Sequence, residues 1–406
     1  MSPHIDSTQI LDPRREKVLI LFLVAVQFAN IVDFMILMPL GPRLMETFQI
    51  PPSKFGALVS AYTFSAGIFG LIAAPLMDRF ERKTSMLWAL AGFAAGTLFC
   101  GFAPNYHFLL AARILAGAFG GLISSVAVAM VADAVPLHRR GAAMGKMMTS
   151  FALASVLGVP LGIFCANKLG WHAPFRILGA LAACVWVAAL VGLPKVPRAH
   201  RSTEGAWRSL REIFMHSRHW LAFAFTTAMM FAGFVMIPFI SPAFVMNGGL
   251  TNEQLPFIYL AGGFCTLFSM PLIGKLADKH GLFKVFAVMS LCTMAPMYLI
   301  THMGHTSLWY ALILTAFFMV CGSGRFTPGI TLVTSTVDPR HRGGFMSVNT
   351  ACQQLASGFA SLTAAMILTT GPGGAIVGYG TVGWVGVAGL LISVFLGSRI
   401  RPFATA

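Results

Sequence analysis

Apolar stretches alternate with short polar ones along the whole chain. They fall at about 18–40, 54–77, 84–104, 107–132, 142–166 and 174–194, and again at about 219–244, 255–277, 284–302, 307–333, 344–369 and 374–397. Each comes close to the roughly 20 residues that an α-helix needs to cross the hydrocarbon of a bilayer. Gly and Pro recur inside these blocks, as they do where membrane helices pack closely and bend. The pattern predicts an all-α, polytopic membrane protein with twelve transmembrane helices. The longest polar interruption, 195–218, divides the chain into a first six-helix bundle (1–194), a basic cytoplasmic linker and a second six-helix bundle (219–406).

The two halves echo each other. Ala74-Pro-Leu-Met-Asp78-Arg79 matches Gly274-Lys-Leu-Ala-Asp278-Lys279 at an offset of 200, and Arg140-Gly141 matches Arg342-Gly343 at 202. Two such pseudo-symmetric halves form a cleft between them at mid-membrane, where transporters bind solute.

Composition supports this picture. The 406 residues are 57% hydrophobic and only 10% charged, too few charges to cover a water-facing surface. The formal net charge of +15 raises the question of a nucleic-acid partner. However, the basic residues lie in short clusters between apolar blocks without aromatic interleaving, so bilayer topology accounts for them. With the N-terminus inside, the inner segments hold 22 of the 28 Lys and Arg and the outer segments four. That asymmetry places both termini in the cytoplasm. The seven cysteines stand singly inside apolar blocks, which indicates neither a disulfide framework nor a metal site. No Walker sequence, HExxH or GxSxG is present, so neither enzyme chemistry nor ATP-driven pumping is expected.

At the repeated loops the chain resembles the major facilitator superfamily over nearly its whole length. Ala74, Asp78, Arg79, Arg82 and Lys83 follow that family's Gly-x-x-x-Asp-Arg-x-Gly-Arg-Lys signature, with Ala74 and Glu81 replacing its glycines. The second copy keeps Gly274, Asp278 and Gly281 but has Leu282 where the first has Arg82. Arg113 and Gly117 are similar to the family's Arg-x-x-x-Gly motif in the fourth block. Gly158-Val159-Pro160-Leu161-Gly162, with Gly170-Trp171 and Phe175, resembles the antiporter motif of twelve-helix proton-coupled efflux proteins. It is closest to the branch of sugar-efflux and arabinose-efflux-like permeases. The resemblance implies proton-driven efflux of a drug, sugar or metabolite across a bacterial inner membrane, with a proton gradient and no cofactor. A monomer is expected. A carrier of an amphipathic anion such as a lysolipid or organic acid, or a non-transporting sensor, is the alternative.

Of the 13 acidic residues, only Asp33 lies within a block. An acid there costs about 2.5–3.5 kcal/mol on insertion scales and is a functional candidate by default. Arg113 lies at a similar depth, so the two can pair. In the family the matching Arg is linked to proton coupling, which nominates Asp33 and Arg113 for that role. A structural ion pair is the plainer reading.

Gln27, Asn30 and Asp33 share a narrow helical face, and Asn349 and Gln353 form a second polar stripe. They serve either the cleft or interhelical hydrogen bonds. Arg325 has no acidic residue within a block of its own half. It binds either backbone carbonyls or an anionic group of the solute. Phe34, Tyr62, Met230, Phe231 and Tyr259 are candidate lining for apolar solute. The family resemblance makes Asp78, Arg82 and Asp133 an inner gate, with Asp278 as its counterpart in the second half. It also makes Gly158, Pro160 and Gly162 a bend that shapes the interface between the halves.

Overall fold

The computed structural model describes residues 12–77, 80–196, 213, 215, 217–337 and 342–401. Most of the linker 195–218, and Asp78, lie outside the described residues. The chain is helical almost throughout. The first half comprises α1 (Pro13–Ile36), α2 (Gly41–Phe48), α3 (Pro52–Met77), α4 (Arg82–Gly101), α5 (Tyr106–Ala134), α6 (Leu137–Leu153), α7 (Val159–Leu169) and α8 (Ala173–Gly192). The second half comprises α9 (Ser217–Phe234), α10 (Ile240–Met246), α11 (Leu255–His280), α12 (Leu282–Thr301), α13 (Leu308–Thr334), α14 (Arg342–Ile367) and α15 (Tyr379–Arg399). A two-residue hairpin, Thr369–Thr370 with Ile376–Val377, joins the last two.

Each of the twelve apolar blocks is helical, and three are interrupted. The first breaks at 37–40 and resumes as α2; the seventh breaks at 235–239 and resumes as α10. Pro39 and Pro42 in one, and Pro238 and Pro242 in the other, remove backbone donors at matching places, which stops a straight helix. In the fifth block, Pro160 cannot donate, and the residues before it, Ala154–Gly158, widen into one π-helical turn between α6 and α7.

Among the described residues, eleven helices are long and apolar enough to cross a membrane. The exception is α14, whose 26 residues include Ser347, Asn349, Thr350, Gln353, Gln354, Ser357 and Ser361. It packs along α3 of the other half and against α9 of its own. Elsewhere Trp88, Leu169, Val191, Trp309 and Ile313 are exposed, an apolar surface that lipid can cover. The protein is a multi-pass membrane protein.

Small residues set the helix crossings. A Cβ on Gly117 would lie 2.3 Å from the Tyr62 carbonyl oxygen, and one on Gly121 2.2 Å from that of Ala66, so α5 and α3 touch backbone to backbone. The halves meet in the same way. Ser60 Oγ donates to the Gly358 carbonyl at 3.1 Å, and Phe64 and Phe359 pack edge-on at 4.9 Å between α3 and α14. Gly263 of α11 lies against the π turn at Ser155, and Gly41 of α2 lies against Pro242 of α10.

On the side away from the termini, a single buried core spans both halves, with Leu37, Leu44 and Phe55 joined to Phe239, Phe244 and Leu368. Towards the termini, each half has its own core. Leu19, Met86, Met130 and Leu193 belong to one, and Phe225, Phe286, Phe345 and Ile400 to the other. Among the described residues, Leu71 alone reaches from the first half to the second half's core. The bundles thus share one core at one end, while towards the termini each keeps its own core and α3 still rests on α14.

Candidate functional site

The shared core ends at a buried polar chain in the first half. Arg113 of α5 points at α1, where its Nη1 donates to Asp33 Oδ2 at 2.9 Å and to the Asp33 carbonyl at 3.2 Å. Both side chains are fully buried. The guanidinium also lies over the Tyr62 ring, 4.3 Å from its centroid, a cation–π contact that gains strength when desolvated. Arg113 Nε and Nη2 and Asp33 Oδ1 have no hydrogen-bond partner, nor has the hydroxyl of neighbouring Thr97. The pair is neutral as a unit and fully withdrawn from solvent.

Tyr62 extends the chain. Its hydroxyl donates to Asn30 Oδ1 at 2.8 Å, and Asn30 Nδ2 donates to Ser124 Oγ at 3.2 Å and to the Gly120 carbonyl at 3.3 Å. Gly120 makes this possible, because a Cβ there would sit 2.5 Å from Asn30 Oδ1 and 2.7 Å from the Tyr62 hydroxyl. Ser124 also lines a narrow crevice between α3, α5 and α14, whose far wall is Ser347, Thr350 and Gln354. Phe34, half-buried, stacks on Tyr62 at 5.5 Å and meets Phe234 of the second half at 5.8 Å. The Asp33–Arg113 pair is therefore connected both to the interface and to a narrow crevice between the halves.

Asp33, Arg113, Asn30, Tyr62 and Phe34 come together in this network. Gln27 stands apart, its Oε1 buried without a partner. In the second half, Arg325 Nη1 donates to the Met229 carbonyl at 3.1 Å, while Nε is buried without a partner. Both the carbonyl contact and an incompletely satisfied cation are therefore observed. Asn349 is fully buried with both amide atoms unpaired, and Gln353 is half-buried one turn on. Met230 packs in the terminus-side core, whereas Phe231 and Tyr259 flank the shared one. Tyr259 is held by Ser241 at 2.8 Å.

Gly158 and Gly162 admit Val32 and Ile36 of α1, so the bend at Pro160 cradles the helix that carries Asp33. Arg82 Nε donates to Asp133 Oδ2 at 2.7 Å, and a second pair, Arg139 with Glu16 at 2.9 Å, stands beside it. In the second half, Leu282 and Ser335 occupy the matching places and Asp278 is exposed. Sequence reading missed Ser124, Thr226 and Glu16. Glu16 lies just outside the first apolar block, and hydroxyls inside apolar blocks carry no pattern of their own.

The family model described as Major Facilitator Superfamily matches residues 23–361 and 225–403. An uncharacterized MFS-type transporter of Bacillus subtilis, YceJ, is 30% identical over 64% of this chain and 67% of its own length. A probable sugar efflux transporter of Mannheimia succiniciproducens is 24% identical over 57% of this chain and 58% of its own. Among solved structures, a bacterial homologue of the human lysosomal transporter Spinster, in an inward-facing and unoccupied conformation, superposes with a TM-score of 0.75. It is 17% identical and covers 98% of this chain and all of that one.

Proposed function

Since the chain belongs to the Major Facilitator Superfamily and is a transporter rather than an enzyme, we propose that it exports a small organic solute by proton-coupled alternating access. The solute is a drug, sugar or metabolite, and the membrane is the bacterial cytoplasmic membrane. The observation that carries this reading is the fully buried Asp33–Arg113 pair, one residue from the Phe34–Phe234 contact between the halves.

Protonation of Asp33 releases Arg113 from its counter-charge. Asp33 lies on α1, next to the break that leads into α2 and its contact with α10, so a changed α1 position is transmitted to the shared core. A ligand shifts such an equilibrium only through its different affinity for the two states, and a proton on Asp33 is that ligand here. The Arg82–Asp133 and Arg139–Glu16 pairs, on the terminus side, supply contacts that differ between states. The positive-inside distribution places that side in the cytoplasm. The sugar-efflux relative supports export.

Reconstituted proteoliposomes with an imposed pH gradient test the reading. Wild-type protein moves members of a panel of labelled sugars, drugs and metabolites together with protons. Asp33→Asn keeps its fold by gel filtration yet loses gradient-driven movement. Full gradient-driven transport by Asp33→Asn sinks the coupling assignment.

A further inference from the structure

The two halves differ at one symmetric position. At the offset of 200, Phe34 corresponds to Phe234, and these two side chains meet across the pseudo-twofold axis. The same offset makes Gly233 the counterpart of Asp33. Arg325 reaches that spot from α13, since a Cβ added to Gly233 would lie 3.0 Å from its Nη2. The first half thus sets an acid beside its buried arginine, and the second half sets a glycine there. Among the described residues Arg325 makes no ion pair, and its Nη1 donates to the Met229 carbonyl while Nε has no partner.

Two other polar side chains of the second half are buried and unpaired. Thr226, one turn before Met229 on the same side of α9, is fully buried with its hydroxyl unpartnered. Asn349 comes from α14, one turn beyond Phe345, which stacks on Phe223 of α9 at 4.9 Å. That register sets Asn349 level with Thr226, and neither of its amide atoms has a partner. Burying a cation and several polar donors without acceptors is costly unless something satisfies them. An anion supplies both the charge and the acceptor lone pairs, and the planar guanidinium matches a carboxylate or phosphate oxygen pair.

We propose that Arg325, which Gly233 admits against α9, holds a carboxylate or phosphate group carried by the transported molecule, with Thr226 and Asn349 as further polar groups of that site. This rests on the transport reading and names its substrate class, an organic anion with an apolar body that the Phe34–Phe234 aromatic contact can face.

The test measures binding at one pH on both sides, so it is independent of proton coupling. Thermal unfolding of purified protein is followed with benzoate, phenyl phosphate, benzylamine and benzyl alcohol. The two anions raise the midpoint in a saturable way, and the amine and alcohol do not. Arg325→Gln weakens anion binding by about tenfold or more, the loss of a charge-assisted contact. Gly233→Asp, which supplies an internal carboxylate, abolishes the shift while the protein remains monodisperse. Equal shifts with benzyl alcohol and benzoate, or a full shift in either variant, overturn the proposal. In phosphatidylcholine nanodiscs the anions act as in detergent. Their exclusion in phosphatidylglycerol nanodiscs identifies a lipid headgroup as the occupant, and unchanged binding there identifies a soluble anion. If the anions bind but no gradient drives transport, the coupling reading fails and this site stands.

Discussion

At the scale of single residues, the Asp33–Arg113 pair is governed by what each partner would be alone. Taking one member from a buried pair leaves an uncompensated charge and costs about 3–5 kcal/mol, whereas replacing both with apolar groups is often close to neutral. Arg113→Met should therefore lower the thermal midpoint in detergent more than Asp33→Leu/Arg113→Met does. A double variant less stable than the single one would show that the pair is not the chief partner of Asp33. Tyr62 does two jobs, and Tyr62→Phe separates them. The ring under Arg113 stays, while Asn30 Oδ1 loses its donor at a cost of about 1–3 kcal/mol. A modest fall in stability with the arginine's environment unchanged is expected, and no change in stability would mean that the hydroxyl contact is idle. The pairing of Asp33 with Arg113 was legible in the sequence, because one acid and one base at similar depth have few other partners. The unpaired state of Thr226 and Asn349 was not legible, since it depends on where neighbouring helices turn their carbonyls.

At the scale of helices, close approach decides more than hydropathy does. Gly121→Ala puts a methyl into the Ala66 carbonyl and should abolish folded yield, whereas Gly274→Ala, which meets nothing within 4 Å, should be silent. Comparable folded yields from the two, compared by gel filtration, would refute the backbone-contact account of the α3–α5 crossing. The twelve blocks were legible because a bilayer imposes a length on apolar runs. The breaks near Pro39 and Pro238 were not, because the residues around them are as apolar as the helices they interrupt. The bend at Pro160 was expected from the motif, but its form as a π turn resting on α1 depends on Val32 and Ile36 filling the glycine notches. The repeat was legible too, and its most informative departure, Gly233 opposite Asp33, became meaningful once Arg325 was seen to reach it.

At the scale of the whole molecule, α3 and α14 hold the halves together, and the proposed alternating access requires them to part. In a background with the seven native cysteines replaced, Phe64→Cys with Phe359→Cys should cross-link under oxidation and stop transport, and reduction should restore it. Undiminished transport by the oxidised pair would mean that these helices never separate. The polarity of α14 bears on how the chain is made. A helix with that many amides and hydroxyls partitions poorly into lipid alone, and its natural lining, α3, is synthesised 290 residues earlier. Correct threading of the eleventh segment through the insertion machinery should then require the first half to be waiting beside it. Expressed by itself, the second half would leave that segment and its neighbour misrouted, and topology reporters after residue 401 would show it.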